Sequence, residues 1–195
     1  MTVELLDPEL LLHAGLGIAL AAAAGFRIFV PLLVLSAAAL SGRVELTGGL
    51  EWMGSWPALI VFAVATVVEI AGYYVPWVDN VLDWLGAPLA VIAGTLLAAS
   101  TLGDADPLLR WVLAVVAGGG AAGAVHALTA LLRKLSSLAT GGLANPVLST
   151  AEAGGSLALS LLALVLPLLA LGVLVAAVVL ALRVARRRRA AAQTS

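Results

Sequence analysis

Three features of the sequence predict an all-α integral membrane protein with five or six transmembrane helices. Of its 195 residues 63% are hydrophobic and 11% charged, and the mean hydropathy is +1.13; a soluble domain carries roughly 25% charged residues. Apolar runs recur at close to the ~20 residues that span a bilayer. Most charges lie between those runs or in a basic C-terminal tail, Arg183 and Arg186 to Arg189. This composition excludes a water-soluble enzyme. A net charge of −1, with the basic cluster directly behind an apolar run, argues for a lipid-facing protein that binds no nucleic acid. With no cysteine there are no disulfides, thiolate metal sites or cysteine nucleophiles.

The segment Met1 to Glu9 carries Glu4, Asp7 and Glu9 and lacks the basic start of a secretory leader, so it is expected to be retained. The first apolar run, Leu10 to Leu40, exceeds one span and is interrupted at Gly25-Phe26-Arg27 and Pro31. A polar loop, Ser41 to Trp56, precedes the second run, Pro57 to Val75, in which Pro57 suits a first helical turn. Asp79, Asn80 and Asp83 then mark a solvated turn or helix start rather than a metal site. The third run, Leu85 to Leu102, ends at the turn signal Gly103-Asp104-Ala105-Asp106-Pro107. The fourth, Leu108 to Leu132, is closed by Arg133 and Lys134. Trp52, Trp56, Trp77, Trp84 and Trp111 all stand at run ends, where indole rings prefer the interface.

The last run, 147–182, has no charge after Glu152 and would make roughly 54 Å of helix at 1.5 Å per residue. It crosses once with a broken start at Gly154-Gly155, or twice with a tight turn near Pro167. Arg133-Lys134 and the tail 183–195 both belong in the cytoplasm under the positive-inside rule. That demands an even number of crossings between them, so six helices are preferred to five.

Self-similarity between 9–103 and 108–186 fits a 3+3 inverted repeat with broken or re-entrant helices. Ala21 to Arg27 resembles Gly119 to His126; Pro57 with Glu69 resembles Pro146 with Glu152; Ala87 to Ala90 resembles Leu166 to Leu169. Gly118 to Gly123 formally matches a dinucleotide-binding glycine pattern, but it lies inside an apolar run and is assigned to close helix packing. The small-residue runs Ala19 to Gly25 and Ala117 to Gly123 also suit a homo-oligomer.

Functional candidates are the charges that composition cannot explain. Glu69 lies deep in the second run, where a carboxylate costs on the order of 2.5–3.5 kcal/mol. Arg27 is as deep in the first run and is its natural counter-charge. Glu152 lies nearer a polar loop, and His126 could pair with it or relay protons. Asn145-Pro146 with Gly141-Gly142 could support a re-entrant helix end, though an ordinary turn serves as well. His13 and His126 form no zinc motif, and Ser156 and Ser160 have no nearby base, so no enzyme, cofactor or metal is expected.

At Gly25-Phe26-Arg27, Gly54-Ser55-Trp56-Pro57, Glu69, Tyr74 to Asn80 and Gly142 to Pro146 the chain resembles a bacterial membrane protein family, domain-of-unknown-function family 4126. The resemblance covers nearly the whole chain. It implies a small protein of the bacterial inner membrane and lends no activity or ligand.

Two functions remain open. The first is a small transporter or channel that moves an ion or small charged solute through a midplane site of Arg27, Glu69, Glu152, His126 and Asn145. The alternative is a scaffold or lipid- or partner-interacting protein whose buried Arg–Glu pair only fixes packing.

Overall fold

The computed structural model describes residues 8–103, 106–176, 179, 180 and 183, and these are helical with no strand. The arginines of the expected tail at 186–189 lie outside the described residues, as do Asp104 and the side chains of Asp79, Asn80 and Asp83. The helices are α1 (Pro8–Phe26), α2 (Phe29–Leu40), α3 (Trp56–Gly72), α4 (Pro76–Thr101), α5 (Pro107–Leu113), α6 (Gly120–Thr140), α7 (Asn145–Val165) and α8 (Pro167–Ala176). A π-helical turn, Ala114–Gly119, joins α5 to α6, so that Pro107–Thr140 is one continuous 34-residue rod. Together with Pro8–Phe26, Trp84–Thr101 and Asn145–Val165, this rod is long and apolar enough to cross a membrane.

Helix starts follow local chemistry. Ser55 caps α3 by accepting from the Ala58 N–H at 3.3 Å, with Pro57 in the first turn. Asp106 caps α5, its Oδ1 accepting from Leu108 and Leu109 at 3.0 and 3.2 Å. Thus the expected turn at Gly103 to Pro107 is also a helix start.

The first run breaks where proline requires it. A proline ring clashes with the carbonyl four residues earlier, which for Pro31 is that of Arg27, and the helix stops at Phe26 and resumes at Phe29. The chain then returns toward the end it came from. Gly17 packs on Ala98 and Thr101, His13 approaches Gly103, and beyond α2 the Thr47 N–H donates to Ser100 O at 3.0 Å. Residues on both sides of the break therefore flank the same end of α4. A 12-residue α2 spans roughly 18 Å, too short to cross the ~30 Å hydrocarbon core. α1 and α2 therefore form a hairpin whose outer ends both lie at the Ser100–Gly103 end of α4. α3, α4, the α5–α6 rod and α7 then run alternately between the two ends.

The last run also differs from expectation in part. α7 passes through Gly154-Gly155 unbroken, and the interruption falls at Leu166 (φ −140°, ψ 72°), the one residue between α7 and α8. The Leu166 N–H still donates to Leu162 O and the Ala170 N–H to Leu166 O, at 2.8 and 2.9 Å.

α1 is the central element, and its residues Ala19 to Ala24 have no exposed surface. Small side chains allow this. A Cβ on Gly118 would come within 2.6 Å of the Gly94 carbonyl, and one on Gly25 within 2.5 Å of the Ala122 carbonyl. These contacts are the helix packing expected for the glycine-rich stretch. The stretches matched as repeats differ in backbone, since α1 ends at Phe26, before Arg27, while α6 runs straight through His126. Outward positions of α3 are large and apolar (Val61, Val64, Val67 and Val68), as a lipid-facing surface requires.

Candidate functional site

The break between α1 and α2 creates the site. Interrupting the helix frees the N–H groups of Ile28 and Phe29, which must find other acceptors when buried. Glu69, on α3, supplies both: Oε1 accepts from Ile28 at 2.8 Å and Oε2 from Phe29 at 3.1 Å. Its carboxylate therefore caps the start of α2 and is 5% exposed. The expected Arg27–Glu69 ion pair is not formed. Backbone amides satisfied the carboxylate that the sequence assigned to the arginine.

Arg27, 1% exposed, instead turns toward α7. Its Nη2 lies 3.3 Å from Glu152 Oε2 and donates to the Ser149 carbonyl at 3.0 Å and to the Ser149 hydroxyl. Its Nε and Nη1 are enclosed and have no hydrogen-bond partner. Glu152 is shared: Arg133, on α6, donates from Nε to Oε1 at 3.0 Å and from Nη2 to Oε2. The Tyr73 ring, at the end of α3, lies under both guanidiniums, with Cζ of Arg27 and Arg133 at 3.7 and 4.0 Å from its centroid. Each guanidinium gains a cation–π contact with this ring. Next to this stack the Tyr74 hydroxyl and Thr150 Oγ1 are hydrogen-bonded at 2.7 Å, tying α3 to α7.

The cluster accordingly unites α1, α3, α6 and α7 at the break. Ser156, one turn beyond Glu152, donates to the Ala23 carbonyl at 2.9 Å and fixes α7 against the end of α1. With Ser149, Glu152 and Ser160 it forms the buried polar stripe of α7, spaced as one face of a 3.6-residue helix.

Two predicted site residues lie elsewhere. His126 packs against Gly86 of α4, has no hydrogen bond to Glu152, and keeps Nε2 enclosed without a partner. Asn145 opens α7 behind an ordinary turn: its Nδ2 donates to Ser137 Oγ at 3.0 Å, and Gly141 ends α6 at φ +63°. A left-handed glycine is a common helix stop, so no re-entrant end forms there.

Arg133, Tyr73 and Ser149 were missed. The sequence places Arg133 at the end of a run beside Lys134, yet α6 continues to Thr140 and Arg133 is 4% exposed. The signal was present in its spacing. Ala122, Val125, His126, Thr129 and Arg133 fall on one helical face, and all are buried. Among the described residues no group of three or more His, Cys, Asp or Glu side chains stands close enough together to hold a metal ion.

The family model described as "Domain of unknown function (DUF4126)" matches residues 14–187. No curated protein and no solved structure matches the chain.

Proposed function

We propose that this chain, which belongs to the DUF4126 family of unknown function, is a small membrane transporter that moves an ion or small charged solute past Arg27 and Glu152. The observation that carries this reading is the state of Arg27. A buried group that serves only to lock helices is expected to have its donors satisfied, whereas two of the three Arg27 nitrogens have no partner at 1% exposure. Arg133 holds both oxygens of Glu152, but Arg27 reaches only one. Arg27 is thus the exchangeable member. A charged solute engages its free donors or displaces it from Glu152, while the α1–α2 hairpin shifts against α6 and α7. Broken helices at a buried site are a common transporter device.

The setting in this reading is the bacterial inner membrane, with the basic C-terminal tail in the cytoplasm. The experiment is a jump of pH, Na⁺, K⁺, acetate or phosphate across proteoliposomes, read as current and as internal pH. Flux that needs the protein and is lost in both Arg27→Gln and Glu152→Gln supports transport. No flux with any of these, or flux unchanged in both variants, removes the reading.

The two-point Arg133–Glu152 contact, backed by the Tyr73 stack, favours a second reading in which the cluster is a static lock. A folded, flux-inactive wild type would favour it.

A further inference from the structure

A guanidinium carries hydrogen-bond donors and no acceptor, and the contacts of Arg27 are spread unevenly over its donors. Three acceptors crowd Nη2: the Ser149 carbonyl at 3.0 Å, the Ser149 hydroxyl, and Glu152 Oε2 at 3.3 Å. Nε and Nη1, which hold the remaining N–H groups, are enclosed and meet no acceptor among the described residues. Arg27 is buried too deeply for bulk water to serve them. The unmet demand of the cluster is therefore for an acceptor.

That demand has a sign. Each carboxylate oxygen of the site already accepts an N–H: those of Glu152 from Arg133, and those of Glu69 from Ile28 and Phe29. A cation finds no idle carboxylate here and would lie beside the guanidiniums stacked on Tyr73. An anion finds idle donors on a cation, and charge-assisted bonds of that kind are stronger than bonds to a neutral acceptor. Arg27 also has the smaller part of the shared carboxylate, since Arg133 holds both oxygens of Glu152. Enclosure sets the size. Arg27 does not line the groove that reaches Tyr73 and Glu69 between α3 and α4, so an occupant at its free nitrogens has only a few heavy atoms.

We infer, resting on the reading of Arg27 as the exchangeable member of the cluster, that the solute taken up there is a small monovalent anion. It has the size of chloride, nitrate or formate and is held by Nε and Nη1. It enters as the single Arg27–Glu152 contact opens, while Arg133 keeps Glu152 in place.

The test is binding to the purified full chain in detergent, read without flux as the unfolding temperature. Sodium gluconate, whose anion is too large for the site, is replaced stepwise by sodium chloride, nitrate or formate at constant pH and ionic strength. The expected result is a rise that saturates with at least one small anion, as ligand linkage requires, and is unchanged when potassium replaces sodium. Arg27→Gln removes charge and donors, whereas Arg27→Lys keeps the charge and loses the free nitrogens. Each should raise the half-saturating concentration about tenfold or more, and Arg27→Lys remains decisive if Arg27→Gln does not fold. Arg43→Gln, at an exposed arginine, should leave it unchanged. No response, a rise that never saturates, a response that follows the cation, or unshifted half-saturation in Arg27→Lys overturns the inference. Flux of sodium, potassium or protons without anion binding would overturn it and leave transport standing. Anion binding without flux of any ion would do the reverse.

Discussion

Arg133 and Glu152 meet at two points, Nε to Oε1 at 3.0 Å and Nη2 to Oε2, and Arg27 comes to 3.3 Å from the second of these oxygens. One carboxylate is therefore shared between two arginines that share a tyrosine ring. Removing the shared member leaves two uncompensated cations, whereas removing either arginine leaves a pair.

Glu152→Gln should accordingly be the most destabilising of the three neutral replacements, by about 3–5 kcal/mol as for broken buried pairs. Arg27→Gln should cost the least, because two of its donors have no partner to lose. Arg133→Lys should not rescue Arg133→Gln, since an ammonium lacks the planar fork that spans both oxygens. Urea or thermal unfolding in detergent micelles gives the order. Equal losses for all three would show that Glu152 is not shared.

The role of Glu69 predicts a graded series. Glu69→Ala leaves two buried amides without acceptors, at a cost of about 1–3 kcal/mol for each. Glu69→Gln keeps one carbonyl oxygen and turns a donor toward the other amide, so it should recover about half. Amide exchange at Ile28 and Phe29 reads this directly. Protection of both is expected in the wild type, of one in Glu69→Gln and of neither in Glu69→Ala.

The sequence made the α1–α2 break legible because Pro31 acts on a carbonyl four residues away, a local effect. Caps at Ser55 and Asp106 are local in the same way. The direction after the break was not legible. An interrupted helix can continue or fold back, and the choice rests on what α3 and α4 offer to α2. The partner of Arg27 was hidden for a related reason: depth in a hydrophobic run suggested Glu69, but the freed amides claimed that carboxylate first. Arg133 was misplaced because Lys134 beside it is exposed, and a charged doublet resembles a helix end. One of the pair faces inward and the other outward, as adjacent helical positions do.

Absence of native cysteine allows the hairpin to be tested by single-cysteine labelling. Glu9→Cys, Glu45→Cys and Leu108→Cys occupy exposed positions at one end, and Thr140→Cys an exposed position at the other. A membrane-impermeant maleimide should label the first three from the same side and Thr140→Cys from the opposite side. Labelling of Glu9→Cys and Glu45→Cys from opposite sides would mean that the first run crosses.

Close packing between α4 and the rod gives the last prediction. On Gly118 a methyl group would meet Gly94 O at 2.6 Å and Ala98 Cβ at 2.5 Å, and on Gly94 it would meet Gly118 O at 2.8 Å. Backbone cannot step aside as a flexible side chain can, so Gly118→Ala and Gly94→Ala should each cost about 1–3 kcal/mol through overpacking. At Gly154 an added methyl meets nothing within 4 Å, and alanine is the better helix former by up to about 1 kcal/mol. Gly154→Ala should thus be neutral or stabilising in the same unfolding assay. The contrast separates a true close approach from the general cost of altering a glycine in an apolar helix. If Gly118→Ala were tolerated as well as Gly154→Ala, α4 and the rod would have to lie further apart than the Gly94–Gly118 contact places them.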